Sequence, residues 1–442
     1  MPAPLLTDRI LIMRVRSLIL VVASLTVLPP AVPGLVAQEA VRQVTLDEAL
    51  GMAERNNPNL AQSASNVDIS GYQELTAWGS FLPNLSLSYQ YSDASSGRLD
   101  PTGQAITTTS YSAQLRGSVD LFRGFRRFSD LKGAKLGVEA SEARYREAEF
   151  TTSEGVKISY YNAVANRELV QVERDRVSRQ EDQLSFVEQQ LELGRATRSD
   201  VLRSQVDLNN ARVALLNAEN SARNSGYALA EAVGVTEPLA PVEEAGLEAE
   251  LLPYDSNEIL SMALAGAPSL VSARATAAAD ETVVTSAKSA YLPSLTFGGG
   301  WAWSNIEYPP QSRSWSLSLS GSLPLFNGFT RESQLYTARA RADQSRSAER
   351  AVELKLRKDL DQAIGTIDAA VASIDLAEQS EELAAEDLRV SQERYRLGLA
   401  TILDLQSAQI TLLSAQVDVI RRRFEYQLGL ARLEALLGTN LR

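Results

Sequence analysis

The sequence predicts an α+β membrane protein in which each chain carries two copies of one half, four β-strands and long helical hairpins in all. Three observations predict it. The chain repeats itself: Asn57-Pro58-Asn59-Leu60 returns as Ala267-Pro268-Ser269-Leu270, and Phe81-Leu82-Pro83-Asn84-Leu85 as Tyr291-Leu292-Pro293-Ser294-Leu295, both after 210 residues. Farther on, Leu121-Phe122-Arg123-Gly124-Phe125 returns as Leu325-Phe326-Asn327-Gly328-Phe329, and Leu193-Gly194-Arg195-Ala196-Thr197 as Leu397-Gly398-Leu399-Ala400-Thr401, both after 204. A unit of that length is too long for a solenoid repeat and reads as a duplicated half-domain. The second observation is a pair of alternating segments in each half, and the third is a long proline-free helical stretch after each pair.

The chain opens on a targeting segment, residues 1–37. Arg9, Arg14 and Arg16 form a basic region, Ser17 to Leu28 is apolar, and Pro29, Pro30 and Pro33 precede a small-residue site near Ala37. The apolar run suits a signal peptide and is too short to span a bilayer.

The first repeat covers residues 45–234. Thr45-Leu46-Asp47-Glu48 has the form of a capping box, so a helix starts there and runs to about Gly79 with a break at Asn57-Pro58. Its counterpart runs from Asn257 to Ala290, broken near Pro268.

A hairpin over 85–121 follows. Leu85, Leu87, Tyr89 and Tyr91 alternate with Ser86, Ser88, Gln90 and Ser92; after a polar loop from Asp93 to Thr109, Tyr111 to Leu121 alternate again. The second repeat, 257–438, carries the same device over 294–323, with Phe297, Trp301 and Trp303 on one face and a serine series (Ser314, Ser316, Ser318, Ser320, Ser322) on the other. Alternation with period two means a sheet with one apolar and one polar face. Strand length and aromatic residues near strand ends suit a barrel crossing an outer membrane, and the small polar face reads as a wetted lumen. The alternative is a half-buried sheet in a soluble sandwich.

No proline occurs from Phe125 to Leu193 or from Phe329 to Leu397, so each stretch can form one helix of roughly 100 Å. Each stops at Leu-Gly, and a return helix begins at once with Thr197-x-x-Asp200 or Thr401-x-x-Asp404. The return helices hold the clearest heptads: Val201, Ser204, Leu208, Ala211, Leu215 in one, and Leu405, Ala408, Leu412, Ala415, Val419 in the other. Alternation of large residues with alanine allows close antiparallel packing. Residues 235–256, with three prolines and several glutamates, form a linker or small equatorial element.

Composition narrows the function. The 442 residues hold no cysteine and no histidine, which removes disulfides, thiolate metal sites, a lipidated cysteine and both Ser-His-Asp and Cys-His chemistry. No motif for a carboxylate-only enzyme is present, so no catalytic residue, cofactor or metal is expected. A net charge of −12 with an export signal argues against nucleic acid.

Four strands cannot close. An open edge in lipid leaves backbone groups unsatisfied at about several kcal/mol each, so chains must pool strands. Two chains would give an eight-stranded barrel filled by side chains; three would give twelve strands and an aqueous bore.

The series of Asn-Pro helix, Leu-Pro before a strand, Phe-x-Gly-Phe after the paired strand and Leu-Gly-x-Ala-Thr before the return helix, found in both halves, resembles the TolC-type outer-membrane efflux proteins. The resemblance covers essentially the whole mature chain. It implies a homotrimer with one shared 12-stranded barrel in outer-membrane lipid, continued into the periplasm by a coiled-coil α-barrel. It also implies a passive exit duct for an inner-membrane pump and a periplasmic adaptor, in efflux or type I secretion. Adaptor docking falls on the hairpin tips, at Gly194, Arg195, Gly398 and Leu399. The family's acidic pore ring falls on Asp404, with its second acidic position occupied by Ser407. Asp200 and Tyr395 match a pair that links neighbouring coils in the closed state, while the arginine of a second link falls on Ala400. The competing role for Asp200 and Asp404 is plain helix capping, and the competing function is a periplasmic coiled-coil scaffold without transport activity.

Overall fold

The computed structural model describes residues 42–99, 105–242 and 254–441. The expected signal peptide over 1–37 lies outside them, as does 243–253 of the expected linker.

Helix α1 (Leu46–Asn56) starts on the capping box read from the sequence: Thr45 Oγ1 accepts from Glu48 N, and Glu48 returns a bond to Thr45 N. Pro58 cannot donate to the preceding turn, so α2 (Pro58–Gly79) starts afresh. The Asn57 side chain caps it, and Asn57 Nδ2 reaches Ala232 O at 2.9 Å. Strands β2 (Asn84–Leu99) and β3 (Ala105–Arg123) lead to α3 (Arg126–Glu192) and its return α4 (Arg198–Val233). Strand β4 (Leu239–Pro241) precedes α5 (Ser256–Gly266), α6 (Pro268–Lys288) and a single 3₁₀ turn at Ser289–Tyr291. Strands β5 (Ser294–Asn305) and β6 (Ser312–Ser322), then α7 (Thr330–Arg396) and α8 (Ile402–Leu437), complete the chain.

The four long strands form one antiparallel sheet in the order β2-β3-β5-β6. Register puts Leu87, Leu115 and Trp301 beside one another on one face, with Trp301 opposite Trp315. On the other face Ser86, Arg116, Gly300 and Ser316 form a single cross-strand row. The apolar face is open to the surroundings: Leu87, Trp315 and Leu317 are each at least 65% exposed. Among the described residues no helix is long and apolar enough to cross a membrane.

One expectation needs correction. The stretch from Asp93 to Thr109 reads as a loop, but β2 runs on to Leu99 and β3 starts at Ala105, with Asp93 paired to Thr109 and Ser95 to Thr107. Apolar alternation ends at Tyr91, and beyond it the backbone ladder continues, with Thr109 Oγ1 donating to Asp93 Oδ1 at 3.2 Å. Periodicity in hydropathy therefore marks the apolar part of a strand and not its full length. A second element escaped the sequence reading: β1 (Arg42–Val44) pairs in parallel with β4.

The helices lie side by side. Near the sheet α2 packs on α3, α3 on α6 and α6 on α7; in the other direction α4 packs on α3, α3 on α8 and α8 on α7. Apolar seams hold them. Val156, Tyr160, Tyr161 and Val164 of α3 meet Leu229 and Val233 of α4 and Phe424 of α8. Ile259 and Leu270 meet Leu360 and Ile367 of α7 and Leu433 of α8. The short β1–β4 ribbon is tied onto this level, since Tyr160 Oη donates to Val242 O at 2.7 Å and Arg167 donates to Pro241 O. Toward the turns, Leu405, Ala408 and Leu412 of α8 pack on Ala384 and Leu388 of α7.

Candidate functional site

Each hairpin ends in the same turn, and the backbone explains why. Gly194 has φ +69° and Gly398 φ +72°, the left-handed conformation that suits glycine. Arg195 N donates to Gln190 O and Gly194 N to Leu191 O; Leu399 N donates to Arg394 O and Gly398 N to Tyr395 O. These paired bonds are the Schellman pattern, which satisfies the last carbonyls of α3 and α7. The next helix then starts under a threonine cap. Asp200 Oδ2 accepts from Thr197 N at 2.9 Å and from Thr197 Oγ1 at 2.7 Å, while Asp200 N donates to Thr197 Oγ1. Asp404 repeats this on Thr401, accepting at 2.8 Å from both N and Oγ1.

Both carboxyls are held below the usual carboxylate range. For Asp200 the Thr197 hydroxyl is the main cause and the Thr197 N–H the second; for Asp404 the order is reversed, with the Thr401 N–H first. Each stays ionised well into acid, and Asp404 is exposed. Ser407 lies one turn on, also exposed. The tips also present apolar residues: Leu193, Leu397, Leu399 and Leu403 are all exposed, among the exposed Arg195, Arg198 and Arg396.

Tyr395 is drawn toward the first hairpin. Its ring meets Phe186 of α3 edge-on at 6.0 Å, and its phenol is pushed up by burial and then by the charge of Asp200. No hydrogen bond joins Tyr395 to Asp200, whose carboxylate is taken up by Thr197. The sequence reading names Tyr395 and Asp200 but not Phe186, whose ring meets the tyrosine.

It also missed a polar layer some turns in from the tips. Gln180 Nε2 of α3 donates to Gln409 Oε1 of α8 at 2.9 Å, and Gln406 of α8 donates to Asp207 of α4. A cavity of 150 Å³ lies beside them, walled partly by Arg176 and Arg179. Burial lowers the pKa of Arg179. A signal was available at Gln180 alone, a buried polar residue one heptad before the buried Val187; Gln406, Gln409 and Asp207 lie off the apolar seams. Near the tips the α7–α8 hairpin is held internally by apolar residues, whereas contact between the hairpins combines this polar layer with the Phe186–Tyr395 ring pair. Among the described residues no group of three acidic side chains is placed to hold a metal ion.

Comparison with known proteins fits this geometry. The chain is 26% identical over 403 residues to the pyoverdine export outer membrane protein OpmQ of Pseudomonas aeruginosa, covering 89% of this chain and 83% of that protein. It is 24% identical over 412 residues to the outer membrane protein TolC of Escherichia coli, covering 88% and 80%. Among solved structures, CusC superposes with a TM-score of 0.80 at 18% identity, covering 94% of this chain and 99% of that one. The open-state MtrE outer membrane channel of Neisseria gonorrhoeae gives 0.76 at 21%, covering 90% and 89%. The family model for outer membrane efflux proteins matches residues 49–235 and 259–439, most of the chain. The protein belongs to the outer membrane efflux protein family, whose members are transport channels of the outer membrane.

Proposed function

We propose that this outer-membrane efflux channel works as a homotrimer, the passive exit duct of a tripartite efflux or type I secretion system, gated at its periplasmic helical tips. The observation that carries the reading is an open edge at every level. The sheet ends at β2 and β6, the helices near it at α2 and α7, and the helices near the tips at α4 and α7. An arc with two free edges, in a sheet whose apolar face is bare, becomes a closed tube when identical arcs join edge to edge. Three four-stranded arcs make a twelve-stranded barrel, wide enough for a bore with the serine face inward.

The edges carry matching stripes. Leu376, Leu383 and Val390 step by seven along α7, and Val206 and Val213 step by seven along α4, all exposed. The two helices run in opposite directions, so Val206 of one copy falls opposite Val390 of the next, and Val213 opposite Leu383. Equal helix lengths support a repeat of one unit, residues 45–234 and 257–438, joined by an equatorial segment: α3 and α7 have 67 residues each, α4 and α8 have 36.

Within this reading, Asp404 is the charged member of the pore constriction, with Ser407 one turn above it. Asp200 and Tyr395 tether the α7–α8 hairpin to its neighbour. Gly194, Arg195, Gly398 and Leu399 present the tips to a periplasmic adaptor, which couples the duct to an inner-membrane pump. The deciding experiment is planar-bilayer recording of the purified mature protein together with its mass in detergent. Cation-selective channels from a trimer support the reading; a soluble monomer without conductance overturns it.

A further inference from the structure

At the foot of the sheet, where strands hand over to helices, a cleft of 580 Å³ lies between the end of β3 and the starts of α3, β5 and α7. Four arginines line it, Arg123, Arg126, Arg331 and Arg341, and no carboxylate does. In a chain with 55 acidic and 43 basic residues, chance does not favour such a wall.

The arginines keep donors in reserve. Arg123 has one carboxylate, Asp120 at 3.2 Å, and Arg126 has Asp130 at 3.4 Å. Arg331 is the most buried of the four. It meets Glu332 only at 3.7 Å, gives its two terminal nitrogens to the carbonyls of Pro324 and Leu325, and lies over the Tyr291 ring. Its Nε is buried without a hydrogen-bond partner. Arg341 has no ion pair among the described residues. A guanidinium offers five N–H donors in a planar fork, so one carboxylate contact leaves most of them unused.

The backbone adds to this field. Helix α7 begins at Thr330, which lines the cleft, and Phe329 at its N-cap supplies no side-chain acceptor. The positive end of a 67-residue helix therefore meets the same wall, a placement that favours an anion. Thr337 adds a hydroxyl to the lining, while those of Ser289 and Ser294 donate to the carbonyls of Ser286 and Ser322.

We propose that this cleft binds an oxyanion of the phosphate class. Two sources share that chemistry: the headgroup of a membrane lipid at the foot of the strands, and a phosphate group borne by a solute. The site needs neither the gate nor the adaptor to act.

The test titrates the full-length mature protein in nonionic detergent, by calorimetry, with inorganic pyrophosphate and separately with dihexanoyl phosphatidic acid. Saturable binding is expected in at least one arm, weakened about tenfold or more in the Arg126→Gln/Arg341→Gln variant, as loss of charge-assisted hydrogen bonds requires. The ligand-free melting midpoint of that variant should match the wild type. Binding of the lipid alone identifies a headgroup site; binding of pyrophosphate, with or without the lipid, identifies a site open to free oxyanions. No saturable binding in either arm, or equal affinity in the variant, overturns the proposal. Should the double variant fail to fold, Arg341→Gln alone decides, because Arg341 has no ion pair to lose.

Discussion

Lys157 of α3 and Glu434 of α8 form an ion pair across the seam between the two halves of the chain, with side chains only 17% and 6% exposed. Glu434 also accepts from Leu441 N, so it anchors the C-terminal residues to the same level, and Arg432 meets Glu154 of α3 at 3.0 Å next to it. Removing one partner of a buried pair strands the other charge. Glu434→Ala is therefore expected to cost about 3 kcal/mol or more of unfolding free energy. The Lys157→Met/Glu434→Leu double variant should recover most of that loss, because the desolvation cost of both charges goes with them. Denaturant unfolding followed by far-UV circular dichroism measures both, and a single variant as stable as the wild type would contradict the assignment.

Gly124 and Gly328 occupy equivalent turns, with φ +61° and +64°, but their surroundings differ. A Cβ at Gly124 would lie 2.5 Å from Ser289 O, whereas at Gly328 it would meet open space. Gly328→Ala should cost only the left-handed backbone penalty, about 1 kcal/mol. Gly124→Ala adds a collision with main chain that has no flexible end to move, and its loss should be about twice as large or greater. Melting midpoints of the two variants compare them directly; equal losses would mean that the close approach at Gly124 relaxes freely.

Much of this was legible in the sequence because the signals are local and doubled. Thr-x-x-Asp/Glu caps, Leu-Gly stops and Pro breaks each dictate backbone within one turn, so the helix boundaries fell where Thr45, Pro58, Thr197 and Thr401 put them. Alternation revealed the sheet up to Tyr91 and no farther, since the rest of β2 has no apolar side to betray it. The β1–β4 ribbon, three residues against three, is anchored by Tyr160 and Arg167, more than a hundred residues from Arg42, and by burial of Val44 and Leu239 in the core. The cleft of four arginines was invisible for the same reason: Arg123 and Arg341 meet only once the strands and α7 converge.

The chain has no cysteine, which makes the proposed edge contact directly testable. Helices α4 and α7 are not neighbours within one chain, so a Val206→Cys/Val390→Cys variant can form a disulfide there only between copies. Mild oxidation should convert the monomer band into covalent dimer and trimer on denaturing gels, with closed trimer as the limit. Val213→Cys/Leu383→Cys, one heptad away, should behave alike. Monomer alone in both variants would remove the antiparallel register, and a ladder running beyond three would revise the copy number.

The proposed role of Asp404 makes a prediction with a defined direction in pH. Thr401 holds the carboxyl below its ordinary range, so the group stays charged as pH falls past the value at which a free aspartate is half protonated, about 3.9. The stability and the charge it supplies are fully present above that value and are lost only as pH falls through the depressed folded-state pKa. Cation selectivity of the reconstituted channel should accordingly be flat from neutral pH to below about 4, and decline only in stronger acid than titrates a free aspartate. Capping and gating separate by substitution. Asp404→Asn keeps an oxygen for the Thr401 N–H while removing the charge, whereas Asp404→Ala removes both. Reversal potentials under a salt gradient should shift toward zero in both variants, with only Asp404→Ala also lowering thermal stability. Selectivity unaltered in both would assign Asp404 to the helix start alone.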